Sequence, residues 1–260
     1  MITDTNVWLG RYPTRRLPFD DTPTLVARLR ENKVTLAWAG SFEMLLHQDM
    51  EGVNARLAEE CRQHAPNLLL PFGGINPVLP DWEEDVRRCH EVHHMPGIRL
   101  TPGLHGYALD NPFVNRLCAL ASERNLLVQI VVRIDDERTQ HPLLKAADVD
   151  VKPLIKLLPQ YPTLKLMLLN GLHNAGVQAF LSDPSANRVS FDIATLEGVG
   201  GIEKTLKRLT PDRLCFGSHF PFFVWESAKL KLQESALPQP ILEQITHRNA
   251  EALVRETGRK

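Results

Sequence analysis

Arg213-Leu-Cys-Phe-Gly-Ser-His-Phe-Pro-Phe-Phe223 is the stretch whose reading decides the fold. Its first half is a short apolar run rich in strand formers. Gly217 breaks that run, and His219 and Pro221 follow. The stretch reads as a buried strand that ends by presenting His219 on a loop. Seven other segments share the same order: an apolar run, a polar or glycine-containing turn, then a helical pattern. Their strands are expected over residues 2–9, 34–39, 68–75, 97–101, 126–134, 164–169 and 188–193. Near-continuous apolar strands joined by helical crossovers mean a parallel sheet. Eight such units within 260 residues favour an α/β fold closed as a (β/α)8 TIM barrel over an open sheet. No linker or shift in composition divides the chain, so a single domain over residues 1–260 is expected.

Composition narrows the function. The apolar fraction is 43% and the net charge is -1. A large core is therefore available, and neither nucleic acid nor an anionic membrane is an expected partner. No run approaches the ~20 apolar residues of a membrane span. Residues 1–5 read as the start of a strand rather than a targeting segment. The four cysteines, Cys61, Cys89, Cys118 and Cys215, form no Cys-x-x-Cys pair. A reducing cytoplasm is the expected home.

Several segments carry a family likeness. Thr5-Asn-Val-Trp-Leu-Gly10 resembles the first-strand Thr-His-x-His-Leu-Gly segment of the amidohydrolase superfamily, in its amidohydrolase-related (amidohydrolase 2) branch. Gly97-Ile-Arg-Leu100, Gln129-Ile-Val131, Leu164-Lys-Leu-Met-Leu-Leu-Asn-Gly171 and Phe216-Gly-Ser-His-Phe-Pro221 resemble later segments of that branch in order. Ile245-Thr-His-Arg-Asn-Ala250 resembles its closing helix. The resemblance implies the barrel and an enzyme built on a divalent metal. The family's ligands would be two histidines on the first strand, one each on the fifth and sixth, and an aspartate on the eighth. Those places hold Asn6, Trp8, Val131, Asn170 and His219. None keeps the family's residue type, so no metal ligand and no cofactor is expected.

Strand alternation names what else faces the mouth. Asp4 shares a face with Asn6 and Trp8; Gln129 and Arg133 share one with Val131. Arg99 on the fourth strand and Asp192 on the seventh alternate with apolar neighbours. The expected mouth set is Asn6, Arg99, Arg133, Asn170, Asp192 and His219. Arg99 and Arg133, on adjacent strands, either converge on one carboxylate or phosphate or pair internally with Asp4 and Asp192. His219 beside Asp192 suits proton transfer near neutral pH, or His219 is a satisfied core histidine. Trp8 either fills the space of a lost metal or stacks on a ligand. His105, Tyr107 and His141 are pocket walls or ordinary loop residues. Glu197 reaches the mouth or is a solvated loop acid. Phe220, Phe222 and Phe223 form a lid or a contact between copies of the chain, with an interface expected.

Three functions compete at this point. One is a metal-independent hydrolase or lyase acting on a small anionic, carboxylate-bearing substrate. His219 would be its acid/base, and Arg99 with Arg133 its anion clamp. Another is a pseudo-enzyme of the same fold that binds a ligand without turning it over. The last is a metalloenzyme with a non-standard set drawn from His219, His105 or His141, Asp192 and Glu197.

Overall fold

In the computed structural model, which describes residues 1–172 and 174–255, eight strand positions close into one barrel. The strands are β1 (Thr3–Leu9), β2 (Leu36–Ser41), β3 (Leu69–Pro71), β4 (Gly73–Gly74), β5 (Gly97–Leu100), β6 (Leu127–Val131), β7 (Lys165–Leu169), β8 (Val189–Asp192) and β9 (Leu214–Cys215). The third strand position is shared by β3 and β4, because the chain kinks after Pro71 and its Gly73-Gly74 pair starts a new segment. A proline inside a strand cannot donate to the ladder, and glycine allows the bend. Phe72 N donates to Ala39 O at 2.8 Å, which carries β2 across the break.

All strand pairs are parallel. The ring is shut between the first and last strands. Thr5 N donates to Phe216 O and Trp8 N to Phe220 O, both at 2.9 Å. The opening stretch of the sequence is thus the seam of the barrel. Around it lie α1 (Thr22–Glu31), α2 (Met50–His64), α3 (Trp82–Glu91), α4 (Pro102–His105), α5 (Pro112–Glu123), α6 (Leu154–Leu157), α7 (Ala175–Phe180), α8 (Gly201–Leu206), α9 (Trp225–Gln233), α10 (Gln239–Glu243) and α11 (Asn249–Arg255). Asp21, Asp49 and Asn111 cap α1, α2 and α5 through their side chains.

Period-two alternation splits the core into two layers. Outward residues such as Ile98, Leu100, Val128, Ile130, Leu166, Leu168 and Phe191 pack under the helices. Inward residues form a separate cluster that includes Trp8, Trp38, Phe72, Val131, Met167, Leu169 and Cys215. Asp4, Asn6, Arg99, Gln129 and Asp192 share the inside with them, all fully buried. Polar side chains at that depth need partners from one another.

The fifth strand ends earlier than its apolar run. Residues 126–134 read as one strand, but β6 stops at Val131. Alternation therefore has no hold on Arg133, and its side chain sits on the half-buried rim. Phe220 and Phe222 depart from the expected exposed cluster; Phe223 stays exposed. Phe220 is 2% exposed and Phe223 36%. The Phe222 ring stacks on His219 at 4.6 Å and packs against Tyr12 and Phe42. No helix among the described residues is long and apolar enough to cross a membrane.

Candidate functional site

The barrel interior is polar in its middle and aromatic at its mouth. Arg99 enters from β5 and lies fully buried under Trp8, its guanidinium carbon 4.6 Å from the indole centre. Its nitrogens donate to Gln129 Oε1 (2.9 Å), Val7 O (2.9 Å) and Trp38 O (3.2 Å). Gly40 makes this possible: a Cβ there would lie 2.6 Å from Arg99 Nη1. Burial pushes the Arg99 pKa down to about 9, against the pull of the Asp192 and Asp4 carboxylates. It hydrogen-bonds neither acid. Arg99 is therefore a structural spoke, and it does not meet Arg133.

Arg133 lies elsewhere. It forms a two-bond fork with Asp148, 2.7 Å on each arm, and this raises its pKa. The two arginines expected to share an anion thus have separate partners.

Above Arg99, Asn6, Asn170 and Asp192 close a hydrogen-bonded circuit, and His219 and Trp8 are joined to it. Asn6 Nδ2 donates to Asn170 Oδ1 (2.8 Å) and to Asp192 Oδ2 (2.6 Å). Asn6 Oδ1 accepts from Trp8 Nε1 at 3.1 Å. Asn170 Nδ2 donates to Arg133 O at 2.8 Å and to His219 Nδ1 at 3.2 Å, and its backbone N–H donates to Asp192 Oδ1 at 2.9 Å. Simple alternation would turn Asn170 outward after the inward Leu169. Its φ of +57° breaks the strand and swings it inside. His219 has the same φ of +57°.

The partners fix the histidine tautomer. Asn170 Nδ2 is a donor, so Nδ1 must accept. Nε2 lies 2.8 Å from Ile134 O and must donate. The ring is neutral, and both nitrogens are spent. Burial lowers the His219 pKa to about 4, only partly offset by the Ile134 carbonyl. Burial likewise raises Asp192 to about 6, against hydrogen bonds from Asn170 and Asn6. One layer deeper, burial raises Asp4 to about 6 despite bonds from Ser218, Asn6 and Trp225. Those bonds tie β1 to the seam and to α9: Ser218 Oγ and Trp225 Nε1 reach Asp4 Oδ2 at 2.6 and 2.9 Å. Gly217 lets the chain after β9 lie against both neighbouring strands, since a Cβ there would be 2.7 Å from Asp192 Cβ and 3.1 Å from Thr5 Oγ1.

The mouth itself is plugged. Trp8 stacks on Phe42 at 5.2 Å, and Phe222 covers His219. Arg15 lies 5.6 and 5.7 Å from the Tyr12 and Phe222 rings and bonds Asp135 through both nitrogens, at 2.7 and 3.2 Å. That pair joins the loop after β1 to the loop after β6.

Beside the plug, at the C-terminal ends of β6 to β9, a cavity of about 230 Å³ remains open. His219 and Asn170 form part of its lining, with Arg133, Asp135, Asp136, Thr195, Glu197, Phe223, Ser227 and Lys231. A larger groove of about 610 Å³ lies between the loops flanking α1 and the face of α2, and none of the expected site residues lines it. The smaller cavity is the one that meets the circuit.

The remaining expected residues scatter. His105 Nε2 is bound to Met44 O at 2.9 Å. Tyr107 packs in the outer core, and its hydroxyl has no hydrogen-bond partner among the described residues. His141 is exposed and accepts from Leu143 N at 3.2 Å. Glu197 is exposed at the cavity rim. Sequence reading missed Thr195, Ser227 and Lys231. The available signal was Ser227 and Lys231 four residues apart on the helix after the eighth strand, one face of a helix.

The amidohydrolase family model (amidohydrolase 2) matches residues 12–255. The chain belongs to the amidohydrolase family. No curated protein matches it. Solved structures do, at low identity and over nearly their whole length. The 2,6-dihydroxybenzoate decarboxylase from Rhizobium has a TM-score of 0.77 at 14% identity, with 99% of each chain covered. The 5-carboxyvanillate decarboxylase from Novosphingobium aromaticivorans, complexed with manganese and 4-hydroxy-3-methoxy-5-nitrobenzoic acid, has a TM-score of 0.75 at 13% identity, covering 98% of this chain and 96% of that one. An uncharacterised TIM-barrel protein from Bordetella bronchiseptica has a TM-score of 0.74 at 14% identity, with 99% of each chain covered. At these identities the likeness is one of fold.

The family implies a divalent metal, and the residues of this family member do not fit one. Trp8 and Val131 offer no lone pair. The Asn6 amide nitrogen points at Asn170 and Asp192, where a ligand would need an acceptor. The His219 acceptor nitrogen is occupied by Asn170. Among the described residues, no three His, Cys, Asp or Glu side chains are grouped to hold an ion.

Proposed function

We propose that this family member binds a small carboxylate-bearing molecule in the cavity beside the barrel axis, and that its inherited central site has become a metal-independent structural circuit. The observation that carries this reading is the His219–Asn170–Asn6–Asp192 circuit. Every reactive atom in it already has a partner, while an open polar cavity persists next to it. At about 230 Å³ the cavity is below the ~300–1,000 Å³ of pockets that hold drug-sized ligands, which suits a small acid. Arg133 and Lys231 line it beside the acids Asp135, Asp136 and Glu197, and the decarboxylases that share the fold are named for aromatic acids.

A second reading keeps catalysis: a hydrolase or lyase acting on the same acid without a metal. It is favoured by His219 reaching the cavity with Asp192 one residue behind it, through Asn170. In that case His219 would exchange its Asn170 or Ile134 bond for the substrate and serve as acid/base, with Arg133 and Glu197 at the rim. Thermal shift of purified protein with a panel of small aliphatic and aromatic carboxylates, followed by mass spectrometry of the mixtures, tests both. Stabilisation with unchanged ligand supports the binding barrel. Stabilisation with carbon dioxide release or hydrolysis supports the second reading. No stabilisation by any acid removes both.

A further inference from the structure

We propose that Ser227 and Lys231 of α9, with Thr195 opposite, form the subsite that holds the ligand's carboxylate; this rests on the small-acid reading above. The two α9 residues are four positions apart, so they lie one above the other on a single helix face. Both line the cavity, and so does Thr195, which follows β8. Lys231 is half-buried. Its ammonium donates to Ile193 O at 3.2 Å and to Ala194 O, the carbonyls just past β8. An ammonium has three donors, so one N–H is left. Thr195 is 7% exposed, and its buried hydroxyl has no hydrogen-bond partner among the described residues. A buried polar atom without a partner costs stability unless a ligand or water completes it.

The other charges of the lining have side-chain partners of their own. Arg133 spends two of its five N–H groups on Asp148, Asp135 is held by Arg15, and Asp136 is held by Arg138. Glu197 is exposed at the rim, and its charge acts to raise the Lys231 pKa. Lys231 is the cation held beside both hydroxyls, four residues from Ser227 and bonded to the carbonyl just before Thr195, with a donor to give; burial lowers its pKa against the pull of the Asp192 and Glu197 carboxylates. A carboxylate seated there takes one hydrogen bond from the ammonium and others from the two hydroxyls. The rest of the acid then points along the cavity toward His219 and Asn170.

Isothermal titration with the acid that gives the largest shift in the panel, benzoate being the first probe, tests the assignment. Lys231→Met should weaken binding by at least about tenfold, because a charge-assisted hydrogen bond is lost. Lys229→Met removes the same charge from the same helix away from the cavity and should leave binding unchanged. Circular dichroism checks that each variant is folded. Should Lys231→Met fail to fold, Ser227→Val decides, since its added methyls block the subsite and should abolish binding. Unchanged affinity in a folded Lys231→Met or Ser227→Val variant overturns the subsite and leaves the small-acid reading standing. Equal weakening by Lys229→Met and Lys231→Met also overturns it, as an effect of overall charge. A wild type that binds no acid at all removes the small-acid reading and the subsite together.

Discussion

Replacing Asn6 with leucine, close in volume and without polar atoms, is the perturbation that most separates a structural circuit from a reactive one. Asn6 is fully buried and makes three hydrogen bonds. The bond to the Asp192 carboxylate at 2.6 Å is charge-assisted, worth ~1.5–3 kcal/mol. The bond to Asn170 at 2.8 Å is neutral, worth ~0.5–1.5 kcal/mol. The Trp8 indole N–H is then orphaned, at ~1–3 kcal/mol. Neighbouring terms do not add fully, so the expected loss is about 3–6 kcal/mol. That is a large part of the ~5–15 kcal/mol that holds a domain together. Guanidinium unfolding at neutral pH, followed by circular dichroism, reads it directly. A folded variant that loses less than about 1 kcal/mol would refute the circuit as the organiser of the barrel centre.

Three further outcomes follow from the same geometry. The stability gap between wild type and His219→Gln should shrink on acidification. The folded pKa of about 4 lies below the unfolded value of ~6.5, so the unfolded state binds the proton first as pH falls from 6.5 to 4, and about 3 kcal/mol is lost across that window; a gap that stays flat in denaturant titrations from pH 7 to 4.5 would contradict the buried neutral imidazole. Tyr107→Phe removes a buried hydroxyl that has no partner among the described residues and should raise stability by about 1 kcal/mol, read as an increase in Tm; a drop would mean the hydroxyl is satisfied. Arg133→Met should cost about 1 kcal/mol or less, because its pair with Asp148 is partly open to solvent, and a loss above about 3 kcal/mol would place Arg133 in the core.

The barrel was legible because burial on both strand faces writes continuous apolar runs, and the helices between them carry a different period. Inside the barrel the same alternation placed Asp4, Asn6, Trp8, Arg99 and Asp192 correctly on the inner face. It failed where strands end. Arg133 lies two residues past the close of β6, so its direction is set by Asp148 in a loop. Asn170 reaches the inside through a positive φ that no periodicity reveals. The fate of Arg99 depended on carbonyls of β1 and β2, contacts between strands that a local reading does not see. Phe220 and Phe222 looked like part of an exposed cluster because the sequence does not show the hole they fill. Thr195, Ser227 and Lys231 belong to ordinary loop and helix patterns until the fold sets them around one cavity.

Metal content of protein purified without chelator and dialysed exhaustively, measured by inductively coupled plasma mass spectrometry, tests most directly whether hydrogen bonds occupy the place where the family holds its metal. Zinc, manganese and iron together should fall far below one equivalent per chain, with the unfolding midpoint unchanged by chelator. About one equivalent of any of them, surviving dialysis and lowering the midpoint when stripped, would contradict it.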